Sequence, residues 1–215
     1  TKSFCHAAEK INHINLPWGV MCGIRPAKIV RELMEEGHSD SEVVEILKKI
    51  YEVSDEKIDL AYKVAKNEKI LLDEIGENSV SIYIGIPFCP TRCLYCSFTS
   101  YPIGVYKDKV DAYLDTMEKE MEYIAESYTE KKLASIYIGG GTPSSISAEQ
   151  MDRLCSMIEK HFDLSQVREY TIEAGRPDST TADKLQVMKA HGVDRISINP
   201  QTMNGETLKL IGRAH

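Results

Sequence analysis

The stretch IGIPFCPTRCLYCSFTS (residues 84–100) places Cys89, Cys93 and Cys96 within eight residues. Thiols this close together point to a metal centre. A structural zinc site takes four protein ligands, and three-ligand catalytic zinc sites usually rely on His. Three thiolates suit a cubane iron–sulfur cluster instead, for which four cysteines would be the complete set, so one iron is left for an exogenous ligand. An open iron implies chemistry rather than electron storage alone. Zinc and chance placement are the alternatives. Six cysteines in 215 residues are too few for a disulfide scaffold, and a reducing compartment keeps such a cluster as thiols. Cys5, Cys22 and Cys155 have no partner spacing and read as small hydrophobes. The histidines His6, His13, His38, His161, His191 and His215 form no ligand pair at helical spacing.

Three further stretches carry candidate binding groups. YIGGGTP (137–143) ends a strand-like run with three glycines, which lets backbone approach a ligand closely and present its amides. TIEAGRPD (171–178) sets Glu173 at the end of another strand, where a carboxylate accepts an ammonium or a ribose hydroxyl; a solvated strand end is the alternative. RISINPQTMN (195–204) contributes Gln201, and IGRAH (211–215) contributes Arg213. A neutral amide and a fixed cation suit a ribose and a carboxylate, although a cation at a helix end also complements the helix dipole.

The elements that must position these groups follow from periodicity. From Leu16 to about Ile75 the pattern is helical: Pro26 suits a first helical position, Ser39 and Glu42 form a capping-box pair, and Leu60, Ala61, Val64, Leu71, Leu72 and Ile75 recur at helical spacing. Around 76–79 the period changes, which predicts a helical N-terminal region over 1–78 and a second domain over 79–215. Strand-like runs at 80–86, 134–140, 169–175 and 195–200 alternate with helical patterns near 107–127, 148–162, 181–191 and 204–211. Ser147 with Gln150, and Thr180 with Asp183, mark two helix starts. Such alternation argues for a parallel sheet or barrel.

Strand parity sharpens this reading. Ile82, Ile84, Ile86, Ile136, Ile138, Ile172, Ile196 and Ile198 fall on one side, the face expected to meet helices. Tyr83, Gly85, Tyr137, Gly139, Thr171, Glu173, Arg195, Ser197 and Asn199 fall on the other. A closed barrel normally fills its lumen with branched aliphatics, so a polar, aromatic and glycine face predicts a ligand-holding lumen. An open sheet with one solvated face is the alternative.

Together these motifs resemble the radical S-adenosylmethionine (SAM) superfamily, whose signature is this three-cysteine spacing with an aromatic residue, here Tyr95, before the third; the resemblance covers 80–215. It implies an α/β fold, a partial parallel (β/α) barrel with about four βα units present, preceded by a small helical domain. It also implies a 4Fe-4S cluster on Cys89, Cys93 and Cys96, with SAM chelating the open iron through its amino and carboxylate groups. Reduction of the cluster then cleaves SAM to a 5′-deoxyadenosyl radical. Within the superfamily the motifs look like the oxygen-independent coproporphyrinogen III oxidase group, in its variant with a helical extension before the barrel. Matched position by position, Tyr83, Gly140, Gly141, Thr142, Glu173, Gln201 and Arg213 correspond to SAM contacts, and Tyr95 is placed with them.

The implied reaction is oxidative decarboxylation of two propionates of coproporphyrinogen III, with an electron donor such as flavodoxin or ferredoxin and no side chain as nucleophile or general base. One position departs from the group: a further cysteine two residues after the third is here Phe98. A sister branch lacking it delivers haem to other proteins. Arg25, Arg92, Arg176 and Arg195 are candidates for propionate contacts, with surface or structural roles as the simpler reading.

A formal charge of −7 argues against general affinity for nucleic acid or anionic lipid. No apolar run approaches the roughly 20 residues of a membrane span, and Thr1-Lys2-Ser3-Phe4 does not resemble a signal peptide, so the expected location is cytoplasmic. A chain that opens without Met and breaks off at LKLIGRAH after a helical pattern is expected to be a fragment.

Overall fold

The computed structural model describes residues 2–23 and 25–213. The readings that involve Thr1 and His215 lie outside the described residues. The chain divides into two compact units, Thr1–Glu77 and Asn78–His215.

The first unit is helical: α1 (Lys2–Asn12), α2 (Pro26–Glu35), α3 (Asp40–Lys49) and α4 (Asp55–Ile75). Pro26 opens α2, and Ser39 caps α3 in a reciprocal box with Glu42, whose carboxylate accepts from the Ser39 amide at 2.8 Å. Val30, Val43, Leu47, Val53, Ile58, Ala61 and Ala65 form its core. The apolar positions of α4 divide between two faces. Ile58, Ala61 and Ala65 are buried, whereas Leu60, Val64, Leu71 and Leu72 remain exposed. A period of 3.6 puts 58, 61 and 65 on one stripe, and the short alanine side chains let α4 approach α2 closely.

The second unit alternates strands and helices: β1 (Ser79–Ile86), β2 (Phe88–Cys89), β3 (Tyr101–Pro102), α5 (Ile103–Tyr106), α6 (Val110–Ser127), β4 (Lys132–Gly140), α7 (Ala148–His161), β5 (Glu169–Glu173), α8 (Ala182–Ala190), β6 (Arg195–Ser197) and α9 (Gly205–Leu210). The main sheet is parallel, in the order β1-β4-β5-β6, and β2 pairs with β3 in a short separate ladder. Tyr83 lies opposite Tyr137, Gly85 opposite Gly139, and Glu173 opposite Ser197. Ile84, Ile86, Ile136, Ile138 and Ile172 are buried against Leu114, Met117 and Met121 of α6, Met151, Leu154 and Ile158 of α7, and Met188 of α8 in one apolar cluster. Each such isoleucine contributes about 1.5–3 kcal/mol on leaving water.

Two expectations need correction. Ile196 and Ile198 are 37% and 53% exposed. The strand that holds Ile196 has only three residues and ends before Ile198, and the six-residue α9 that follows buries none of its own residues. The helix expected to start at Thr180 begins at Ala182 with Thr181 as its cap residue, and the Thr180 hydroxyl donates instead to the Arg176 carbonyl at 3.0 Å. Ser147 does cap α7 with Gln150 as expected. Cys155 is a buried core residue, while Cys22 is exposed.

His191, just after α8, joins that helix to α7: Nδ1 lies 2.7 Å from Glu159 Oε1 and Nε2 3.0 Å from Asp152 Oδ1. Burial disfavours the imidazolium, but the two carboxylates outweigh it and raise the pKa. A raised folded value means that this stabilisation is complete below the unfolded pKa of about 6.5 and is lost as pH rises through the folded value. The stability gap between wild type and His191→Gln, measured by urea unfolding, is therefore expected to be about 1 kcal/mol at acidic pH and to shrink toward alkaline pH.

Candidate functional site

β1 ends where Pro87 interrupts its ladder, since proline has no amide hydrogen to donate. The chain then forms β2, runs through the cysteine loop over 90–100 and returns in β3. The Tyr101 amide donates to the Pro87 carbonyl at 2.8 Å, which closes the loop at its root. Cys89 is buried with its thiol 3.3 Å from Thr142 Oγ1, whereas Cys93 and Cys96 are half-buried. Burial pushes the Cys89 thiol up, against the Thr142 hydrogen bond.

The glycine run after β4 lies directly on this root. The Gly141 amide donates to the Ile86 carbonyl and the Thr142 amide to the Phe88 carbonyl, both at 2.8 Å. Gly140 has φ +114°, and a Cβ there would stand 2.8 Å from the Ile86 carbonyl oxygen. A Cβ on Gly141 would stand 2.9 Å from Cys89 Sγ. Close approach is thus real, but it is made to the cysteine loop. The amides of Gly141 and Thr142, expected to be offered to a ligand, are committed inside the fold.

On the polar face of the sheet, Tyr137 donates to Glu173 Oε1 at 2.6 Å, and the Tyr83 ring stacks on Tyr137 at 5.9 Å between centroids. The hydrogen bond to Glu173, aided by burial, pushes the Tyr137 phenol up to about 12. Tyr137 therefore keeps its proton and holds the carboxylate in one orientation. Gln201 adopts φ +67°, a left-handed conformation rare for a residue with a Cβ, and its amide donates to Asn199 Oδ1 at 3.1 Å.

Arg213 lies beyond the end of α9 and crosses three segments: Nη2 donates to the carbonyls of Asn199 at 2.6 Å and Gly175 at 2.8 Å, and Nη1 to Tyr95 Oη at 3.2 Å and Cys93 Sγ at 3.8 Å. A helix-dipole role does not describe these contacts. Burial raises the Tyr95 pKa, with Arg213 opposing and Cys93 adding to the rise.

One cavity of 560 Å³ is lined by all of the residues singled out from the sequence: Cys89, Cys93, Cys96, Tyr83, Tyr95, Gly140, Gly141, Thr142, Glu173, Gln201 and Arg213. Residues 83–215 match the profile of the Radical SAM superfamily, and the chain belongs to that superfamily. The chain is 44% identical over 207 residues to the oxygen-independent coproporphyrinogen-III oxidase-like protein HemZ of Bacillus subtilis, covering 94% of this chain and 41% of that protein. It is also 41% identical over 136 residues to the heme chaperone HemW of the same organism, covering 63% of this chain and 35% of the relative. Among solved structures, coproporphyrinogen III oxidase (HemN) from Escherichia coli, a radical SAM enzyme, superposes with a TM-score of 0.58 at 29% identity, covering 65% of this chain and 32% of that one. The chain thus spans about two fifths or less of the length of these relatives.

Membership brings a 4Fe-4S cluster and SAM as cofactors, and the residues present fit them. A cubane takes each of three thiolates on a separate iron, and three thiols on one loop facing a cavity suit it.

Two residues of the site escaped the sequence reading. Tyr137, which orients Glu173, was legible only as a member of the polar face, and nothing local pointed to Thr91. Arg176, considered for substrate contacts, is only 2% exposed and pairs with Asp178 at 3.0 Å.

Gly141→Ala is expected to displace the loop at Cys89 and to weaken retention of reconstituted iron by about tenfold, given overpacking costs of about 1–3 kcal/mol. Iron and sulfide analysis after gel filtration reads this out. Gly104→Ala serves as the control, because its added methyl meets nothing within 4 Å.

Proposed function

We propose that this chain is the cluster- and SAM-binding part of a radical SAM oxidoreductase that decarboxylates the propionates of coproporphyrinogen III to vinyl groups without oxygen. The observation that carries the reading is the convergence of three cysteines, a glycine loop, Glu173, Gln201 and Arg213 on one cavity, supported by similarity over 94% of the chain to a coproporphyrinogen-III oxidase-like protein.

In this reading Cys89, Cys93 and Cys96 would hold the cluster, and the residues on the polar face of the sheet would bind SAM. When bound, the reduced cluster supplies the electron that cleaves SAM to the 5′-deoxyadenosyl radical. Glu173, oriented by Tyr137, accepts the ammonium or a ribose hydroxyl of SAM; Gln201 offers a neutral amide to the ribose, and Arg213 a fixed cation beside Cys93. Tyr83 and Tyr95 line the cavity beside these groups. At the substrate, one β-hydrogen atom would pass to the SAM-derived radical, giving 5′-deoxyadenosine, CO2 would leave, and a separate one-electron acceptor would take the remaining electron, which converts each propionate to a vinyl group with no side chain as general base. A flavodoxin- or ferredoxin-like donor in the cytoplasm supplies the electron.

A second reading, a haem chaperone on the same sheet, is favoured by one position. Phe98, 72% exposed at the cavity, stands where oxidases of the group carry a further cysteine, and a heme chaperone is among the relatives.

The test uses the full-length protein, reconstituted anaerobically with iron and sulfide and then given dithionite and SAM. The expected products are 5′-deoxyadenosine and, with coproporphyrinogen III, protoporphyrinogen IX. Stoichiometric haem binding with no conversion of coproporphyrinogen transfers the case to the chaperone, and a protein that binds SAM yet never cleaves it defeats the enzymatic reading.

A further inference from the structure

The cysteine loop is tied down by a group outside the family motif. Thr91 lies between Cys89 and Cys93, and its side chain is the junction of three segments distant in sequence. Its hydroxyl donates to the Gly212 carbonyl at 2.9 Å and accepts from Arg176 Nη1 at 2.7 Å. The same guanidinium nitrogen reaches the Thr91 carbonyl at 3.4 Å. Arg176 is fixed in turn: Nε donates to Asp178 Oδ1 and Nη2 to Oδ2, both at 3.0 Å. One further backbone bond, from the Leu94 amide to the Ile211 carbonyl at 3.1 Å, secures the other side of the loop.

This geometry gives the threonine hydroxyl a defined polarity. Arginine has no acceptor, so the Thr91 oxygen must accept from it, which leaves its hydrogen for Gly212. A planar guanidinium with one edge engaged by both oxygens of Asp178 presents its remaining donors in a fixed direction. Gly212 precedes Arg213, whose guanidinium contacts Cys93 Sγ and Tyr95 Oη. The hydroxyl therefore ties the loop both to the buried Arg176 guanidinium and to the segment that carries Arg213.

We propose that Thr91 and Arg176 act as positioning residues, a latch that holds the Cys89–Cys93 segment in its metal-ready conformation and in register with Arg213. The latch itself rests on the observed contacts; its purpose rests on the reading of this loop as the cluster loop. Asp178 sets Arg176, Arg176 sets Thr91, and Thr91 sets the loop.

The test separates these two layers. In the iron-free protein, alkylation of Cys93 by iodoacetamide, followed peptide by peptide by mass spectrometry, reads local opening of the loop. Loss of both hydrogen bonds of the hydroxyl, each about 1 kcal/mol, is expected to speed alkylation at least about fivefold in Thr91→Val. Thr91→Ser, which keeps the hydroxyl, is expected to restore the wild-type rate. Adding Arg176→Gln to Thr91→Val is expected to accelerate it little further, because both changes break the same link. Thr91 is exposed, so Thr91→Val decides the matter even if Arg176→Gln fails to fold. An unchanged rate in Thr91→Val, or no rescue by Thr91→Ser, overturns the latch. The reconstituted full-length protein is then challenged with an iron chelator: faster iron loss in Thr91→Val supports both layers. Faster alkylation with unchanged iron loss leaves the latch standing as a loop tether and overturns its assignment to the cluster.

Discussion

Burial of Ile84, Ile86, Ile136, Ile138 and Ile172 beneath α6, α7 and α8 is the contact on which the site depends. Side chains along a strand alternate between faces, so committing these isoleucines to the helices commits Tyr83, Gly85, Tyr137, Gly139 and Glu173 to the opposite surface. A slip of one residue in any pairing would exchange the two sets. The observed register, with Ile84 opposite Ile138 and Ile138 opposite Ile172, keeps the same sets in phase across the strands. Small residues then let the polar groups close together: Gly85 and Gly139 sit opposite each other, and the side chains of Tyr83, Tyr137 and Glu173 fold over Gly139.

The loops at the strand ends are stabilised differently, by polar contacts of long sequence separation. Their central feature is an ion pair between the buried Arg176 and the more accessible Asp178. Burying the guanidinium costs hydration, which the attraction of the carboxylate offsets only with good geometry. Here the two-point contact with Asp178 supplies that geometry. The same bracket continues to the glycine loop: Ser179 donates to the Arg176 carbonyl at 3.0 Å and lies 2.7 Å from the Ser144 hydroxyl, while Lys184 donates to the carbonyls of Ser144 at 2.7 Å and Ser179 at 3.0 Å. Burial lowers the pKa of Lys184, but its contacts remain those of a donor. The segment between β5 and α8 thus joins the cysteine loop and the glycine loop with few apolar contacts of its own. Such polar networks specify one arrangement more than they add net stability.

Local chemistry carried much of this in the linear chain. Three cysteines at that spacing identified the kind of centre, capping residues such as Ser39 and Ser147 marked helix starts, and alternation of isoleucine with tyrosine and glycine separated the two faces of the sheet, because each of these signals depends on neighbours a few residues apart. Tertiary structure alone decided the rest. Thr91 and Arg176 are separated by 85 positions and Arg213 and Cys93 by 120, and no periodicity encodes which carbonyls a guanidinium will find across such distances. The amides of Gly141 and Thr142 could be assigned to Ile86 and Phe88 only once β1 and β4 were paired. Likewise, the exposure of Ile196 and Ile198 follows from a strand that ends at Ser197 and a short α9 that buries none of its residues, which the isoleucine pattern does not reveal.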